Sequence, residues 1–196
     1  MVASSYLRRK IALPHRSVDA HHAFPAALNW QAVSLIRVAW PSIRLNGHRL
    51  GTETYPARYD PGHVVLTERD VLISYAALMW LDLRHADTRY RVAAFGNVFT
   101  YPAFRGEGDG PRVVDAAAAS IDGSTADVAM LFCKPHLVRF YSNRGWDVLE
   151  GARTRVGTPE ASAEHPYRRL MRVLSAQRSQ GRLSFTCQPR YIDSPW

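Results

Sequence analysis

The hexapeptide Arg105-Gly106-Glu107-Gly108-Asp109-Gly110 is the stretch of this chain best suited to holding a ligand. Its three alternating glycines free the backbone to curl with N–H groups turned inward. A helix starting directly after them adds about half a positive charge to the same concave surface. The result is an anion cradle. No Gly-Lys-Ser/Thr follows, so it is not a nucleoside-triphosphate loop, and its spacing departs from the dinucleotide pattern G-x-G-x-x-G. Other reactive side chains carry less. Cys133 and Cys187 are far apart and in no Cys/His spacing, which points to neither a disulfide framework nor a zinc site, and no metal is expected. Cys133 ends a buried run and reads as an unactivated thiol rather than a nucleophile. His21, His22, His63 and His85, taken singly, read as surface or structural residues.

The elements that must position this loop follow from periodicity. Tyr6 to Leu13 is a strand-capable run stopped by Pro14, and Trp30 to Trp40 places Ala32, Val33, Leu35, Ile36, Ala39 and Trp40 at helical spacing before Pro41. Pro41 to Gly62 is rich in turn residues and long enough for a binding loop. Strand runs His63 to Thr67, Val71 to Leu83 and Arg91 to Tyr101 are joined by short turns, which predicts an antiparallel meander. Pro111 to Ile121 puts Val113, Val114, Ala117 and Ile121 on one helical face. Ala126 to Cys133 is almost unbroken apolar sequence, as in a strand buried on both sides and paired in parallel. A short helix is expected from His136 to Arg144, framed by Pro135 and Gly145. Trp146 to Leu149 and Leu183 to Cys187 read as closing strands around a basic insertion from Gly157 to Arg169. This order predicts one α/β domain over residues 1–196, a mixed sheet with helices on both faces.

Arg105-x-x-Gly108-x-Gly110 between a strand and a helix resembles the pyrophosphate-binding motif of the GNAT superfamily of acyl-CoA N-acyltransferases. A second segment agrees with the first. Phe140-Tyr141-Ser142-Asn143-Arg144-Gly145-Trp146 is similar to that family's F-Y-x-x-x-G-[FW], at the expected distance and after the expected buried strand. The resemblance spans roughly Tyr90 to Trp146. It implies a mixed, mostly antiparallel sheet splayed between its fourth and fifth strands. It also implies that Arg105, Gly106, Glu107, Gly108, Asp109 and Gly110 hold the pyrophosphate of acetyl-CoA, or of another acyl-CoA, through backbone amides. Val98, Phe99 and Thr100 would offer their strand edge to the pantetheine arm. Gly96, with Asn97 beside it, falls where the family's fourth strand bulges. Pro111 removes one amide just past the loop, and Lys134 stands where many relatives have Asn.

Acyl transfer from a thioester to an amine needs a neutral amine, a polarised carbonyl and a proton for the leaving thiolate. Holding an alkylamine of pKa about 10.4 neutral at pH 7 costs about 4 to 5 kcal/mol. In enzymes similar to this one the tyrosine of the second motif protonates the thiolate, a role that falls here on Tyr141. The base has several candidates: a water held beside Asn97, His136, Asp60, Glu53 or the chain terminus. Similar enzymes often carry Glu on the strand before the bulge, where this chain has Phe95-Gly96-Asn97.

The carboxyl-terminal tail, with Thr186-Cys187, Arg190, Asp193 and a final Trp196, resembles that of the aminoglycoside 2'-N-acetyltransferases within this superfamily. This resemblance implies that Trp196, with Asn97 and Phe132, lines the acceptor pocket. Gln188-Pro189 replaces an acidic and aromatic pair of that tail. Lys and Arg number 25 against 17 acids, a net charge of +8 that favours an anionic cofactor and opposes a polycationic acceptor. No apolar run reaches the roughly 18 residues needed to span a bilayer, so no membrane is expected. No helix-turn-helix, zinc or aromatic-basic motif supports a nucleic-acid partner. The expected activity is acetyl-CoA-dependent N-acetylation of a small-molecule primary amine, aminoglycoside-like or another amino metabolite, in a reducing, cytoplasmic setting. The alternatives are a protein or peptide N-acetyltransferase and a catalytically weak acyl-CoA-binding regulatory module. A homodimer is an admissible assembly.

Overall fold

The computed structural model describes residues 16–41, 51–158, 160–174 and 185–186, and the backbone of 190–192. Its central sheet is built around a meander of three strands: β2 (Gly62–Glu68), β3 (Val71–His85) and β4 (Thr88–Thr100). Both connections are two-residue turns, Arg69-Asp70 and Ala86-Asp87, in which all four residues have positive φ. Such left-handed pairs twist in the sense of the strands they join, which closes tight hairpins even without the usual Asn-Gly. On the outer side β1 (Ser17–His21) adds antiparallel to β2. On the inner side β5 (Val128–Cys133) pairs with β4 in parallel, while β6 (Asp147–Val148) closes the far edge. The full order is β1-β2-β3-β4-β5-β9-β6, and β4–β5 is its only parallel pair among the described strands.

β9 is Arg168–Val173, and it sits between β5 and β6. This corrects the sequence expectation in two ways. The stretch 157–169 was expected as an insertion, yet it holds β8 (Ser162–Glu164), which pairs with β7 (Thr154–Gly157), and the start of the strand beside β5. Of the expected closing strand Leu183 to Cys187, only Phe185 and Thr186 are described, and they are helical. Arg168-Arg169-Leu170-Met171-Arg172-Val173 has too many cations to read as interior from composition alone. In the fold Leu170 and Met171 are buried, and Arg172 pairs with Asp122 at 2.9 Å. β5 is therefore parallel on one side and antiparallel on the other. β10 (Arg190–Ile192) runs parallel to β7 in a small second sheet. The expected strand Tyr6 to Leu13 lies outside the described residues.

Helices cover both faces of the large sheet. α2 (Asp109–Asp122) buries Val113, Val114, Ala117 and Ile121, the predicted stripe, against Phe95, Leu131 and Leu170. α3 (Val138–Ser142) lies on the same side and follows a tight turn of 3-10 geometry at Pro135–Leu137, so the expected single helix is shorter and split. On the opposite face α1 (Ala26–Ala39) buries Ala32, Val33 and Ile36 over Val65, Tyr75 and Phe99, while Ala39 of the expected stripe stays exposed. Farther along that face Leu83, Val92, Met130 and Met171 pack with Phe185. No helix among the described residues is long and apolar enough to cross a membrane.

Candidate active site

β4 leaves the sheet at Thr100, and after one helical turn at Pro102–Phe104 the chain enters the glycine loop. Gly106 and Gly108 have φ of +89° and +85°, a region that side-chain-bearing residues enter only with strain. Gly108 caps α2. The amides of residues 106 to 110 donate to no acceptor among the described residues, and they lie at the positive end of a 14-residue helix. A Cβ at Gly110 would meet Thr100 Oγ1 at 3.1 Å, which is how α2 begins against the end of β4. Arg105 donates through Nε to the carbonyl of Thr100 at 3.1 Å. Residues 105 to 108 are exposed, and Asp109 is only 2% exposed.

The Asp109 side chain was not foreseen as more than a loop position. Its carboxylate is ion-paired with Arg16, just before β1, and with Arg112 Nη1 at 3.3 Å. Arg16 also reaches Glu107 at 2.8 Å and Glu68 at 3.0 Å, and hydrogen bonds to these two carboxylates raise its pKa. Nothing near Arg16 in sequence signals this role, because its partners lie 52 to 93 residues away.

The splayed edge is visible in the pairing register. Tyr75 faces Phe99 and Ala77 faces Gly96, so Asn97 and Val98 together oppose Ala76 in the predicted bulge. Parallel pairing of β4 with β5 stops at Phe95 and Leu131. Beyond that point β5 pairs only with β9, and one edge of β4 is unpaired. Tyr101 donates to Ile73 at 2.8 Å on the β3 side. Alternation along the strand therefore turns the N–H and C=O groups of Val98 and Thr100 toward the opening, with Phe99 bonded toward β3. Asn97 holds φ of +49°, is 8% exposed, and has a buried Nδ2 with no hydrogen-bond partner. A buried amide without a partner costs about 1 to 3 kcal/mol, a cost that concentrates at functional positions.

Tyr141 of α3 stands beside this opening. It packs edge-on to Phe95, the last paired residue of β4, at 6.3 Å between centroids. It is 6% exposed, and its hydroxyl has no hydrogen bond to a described residue. Burial, reinforced by nearby Cys133, pushes its pKa above the usual phenol range. A phenol so placed is a proton donor throughout the neutral and mildly alkaline range. Burial also lifts the Cys133 thiol to about 11, which keeps it protonated and supports the reading that it is not a nucleophile.

On the α1 face a group that sequence reasoning set aside comes into view. His63 lies in the same cross-strand row as Ala77 and Gly96, about 10 Å from Gly96 at ordinary strand spacing. Its Nδ1 shares a hydrogen bond of 2.8 Å with the Tyr75 hydroxyl, and Phe24 stacks on the ring at 4.1 Å. Burial lowers its pKa to about 4, so it is neutral at pH 7. Tyr75 stacks in turn on Phe99. Farther along this face Phe132 contacts His165, whose Nδ1 accepts the Tyr167 amide proton. Asp60 and His136 are exposed, and no cluster of possible metal ligands exists among the described residues. Trp196 lies outside the described residues.

No family model matches the sequence, and no curated protein matches it. Solved structures do. An acyl-CoA N-acyltransferase from Pseudomonas aeruginosa is similar with a TM-score of 0.58 and 16% identity, over 81% of this chain and 100% of that one. Escherichia coli ElaA is similar with a TM-score of 0.55 and 18% identity, over 81% of this chain and 99% of that one. An acetyltransferase of the GNAT family from Staphylococcus aureus Mu50 gives 0.54 and 12%, over 81% and 100%. A mixed sheet whose single parallel pair opens at a bulge, with a helix starting beside the opening, is thus the fold that this chain shares with GNAT acyltransferases.

Proposed function

We propose that the protein is an acyl-CoA-dependent N-acyltransferase that moves an acetyl group from acetyl-CoA to a primary amine of a small molecule, by direct attack in a ternary complex. The observation that carries this reading is a convergence. The amides of residues 106 to 110 at the start of α2 have no acceptor among the described residues, the β5-side edge of β4 is unpaired beyond Phe95, and Tyr141 packs edge-on to Phe95, where that edge begins. The residues present fit the cofactor: Gly106 and Gly108 take the left-handed turns that lead into α2, and Gly110 lets the helix begin against Thr100, whose Oγ1 a Cβ would meet at 3.1 Å.

When bound, acetyl-CoA supplies the thioester whose carbonyl carbon is attacked. The amides of Gly106, Glu107, Gly108, Asp109 and Gly110 bind the diphosphate, and the N–H and C=O groups of Val98 with the N–H of Thr100 align the amide-bearing arm as an added strand would, the Thr100 carbonyl being held by Arg105. The Asn97 bulge holds the edge of β4 away from β5 so that the reacting carbon can be reached. Asn97 and Phe132 border the acceptor side, with Trp196 as the proposed third wall. The amine nitrogen forms the new C–N bond, the C–S bond breaks, and Tyr141 gives its proton to the departing sulfur. The proton lost by the amine passes to solvent and is ultimately returned to Tyr141. Phe95-Gly96-Asn97 offers no carboxylate for that step, so a water held at the bulge, or an amine of low pKa, fits this site best.

Within this reading the tail resemblance favours an aminoglycoside-like amine, while the net charge of +8 opposes a polycation. The missing carboxylate favours a second reading, an acyl-CoA-binding module with little turnover. Two assays on the purified chain separate them. Thermal stabilisation by acetyl-CoA tests the cofactor, and release of free CoA with a panel of amines tests turnover. Stabilisation together with amine-dependent release is the expected result. Stabilisation without release from any amine points to the module, and no stabilisation at all refutes both readings.

A further inference from the structure

The glycine loop contains two carboxylates, an unfavourable composition for gripping a diphosphate. Glu107 lies at its middle, and Asp109 is the first residue of α2. Each like charge beside the ligand opposes it, and more strongly where solvent is partly excluded. The fold answers with one side chain. Arg16 Nη1 bonds both carboxylates, with Glu107 at 2.8 Å, and Nε takes Glu68 at 3.0 Å. The guanidinium lies over the Phe104 ring, 5.1 Å from its centroid, and the Arg16 carbonyl accepts from Arg112 Nη2 at 3.2 Å. Arg112 Nη1 completes the pairing of Asp109 at 3.3 Å. Glu68, Glu107 and Asp109 thus face Arg16 and Arg112, and Arg105 at the mouth of the loop brings the set to neutrality.

We infer that Arg16 is a charge-compensating positioning residue, which makes an acidic loop competent to bind a diphosphate-bearing acyl donor. This rests on the functional reading above and adds to it. Arg16 touches neither the thioester nor the acceptor amine. It holds two carboxylates off the anion by keeping them in ion pairs, and it fixes the first turn of α2 against β1 so that the open amides keep their direction. A consequence follows for donor choice. The contribution of Arg16 must depend on the diphosphate, so a thioester lacking that group gains nothing from it.

Calorimetric titration of CoA and steady-state kinetics with S-acetylpantetheine, on the full chain, test this. Arg16→Gln is expected to weaken CoA binding by about tenfold or more, and to leave kcat/KM for S-acetylpantetheine within about twofold. Glu107→Gln changes a half-exposed side chain and is expected to strengthen CoA binding by a few-fold. The double variant Arg16→Gln/Asp109→Asn should recover most of the lost affinity. The inference is overturned if Arg16→Gln binds CoA as the unaltered chain does, or if it loses both donors alike, which would mark a purely structural arginine. Should Arg16→Gln fail to fold, unchanged or weaker CoA binding by Glu107→Gln overturns it instead. If the unaltered chain binds no CoA, the functional reading itself has failed and this inference falls with it.

Discussion

The two faces of the sheet are assembled differently. On the α2/α3 face every group proposed to touch the acyl donor comes from one continuous stretch, β4 through Trp146, in which strand, loop, helix, strand and helix follow one another, and Arg16 supports it from outside. On the α1 face the polar and aromatic groups come from places far apart in sequence: His63 on β2, Tyr75 on β3, Phe132 on β5 and His165 after β8. A site for an invariant ligand can be written into local chain geometry, because backbone amides and strand edges recognise a diphosphate and an amide-bearing arm without particular side chains. A site for a variable acceptor needs side chains, which only tertiary contact can gather.

Four experiments would break or sharpen that contrast. Tyr141→Phe removes one hydroxyl without a described partner, so turnover should fall by about a hundredfold or more while CoA affinity holds within about twofold. Unchanged turnover takes Tyr141 out of the mechanism. Gly108→Val forces a β-branched residue to φ of +85°, and the strain should weaken CoA by about tenfold with little change in the KM of the amine. An equal loss for donor and acceptor would mean that the two faces are not independent.

Removal of Pro195 and Trp196 is expected to raise the amine KM about threefold and to leave CoA affinity as it was. Indifference of both ends the proposal for the tail. The smallest effect concerns pH. Burial holds the folded His63 imidazole near 4, below its ordinary 6.5, so between these values the unfolded chain binds more protons and stability rises with pH. Melting temperature should therefore fall as the pH is lowered from about 6.5 toward 4, and His63→Gln should flatten that slope. A slope that persists in the variant assigns acid sensitivity elsewhere.

The meander, the α2 stripe and the loop were legible because each is encoded by neighbours in sequence, as alternation, helical spacing and a glycine run, while the bulge at Gly96-Asn97 came from the family resemblance. β9 was not. Its pattern of three cations among six residues hides Leu170 and Met171, and its place between β5 and β6 depends on a strand partner about 40 residues away. His63 was equally illegible, since a histidine among valines says nothing of a tyrosine hydroxyl one strand over. Arg16 shows the same limit from the other side. Its neighbours in sequence are unremarkable, and its meaning comes wholly from Glu68, Glu107 and Asp109.

By itself the sequence determined that the glycine run can turn left-handed, which faces of the meander and of α2 are apolar, and that a helix begins at a cluster of glycines, because these depend on sterics and periodicity within a few residues. The tertiary structure alone decided which strand borders β5, which arginine neutralises the loop and which histidine is held neutral. Coulombic and desolvation energies depend on distance in space, and residues as much as 96 positions apart meet only when the sheet has formed.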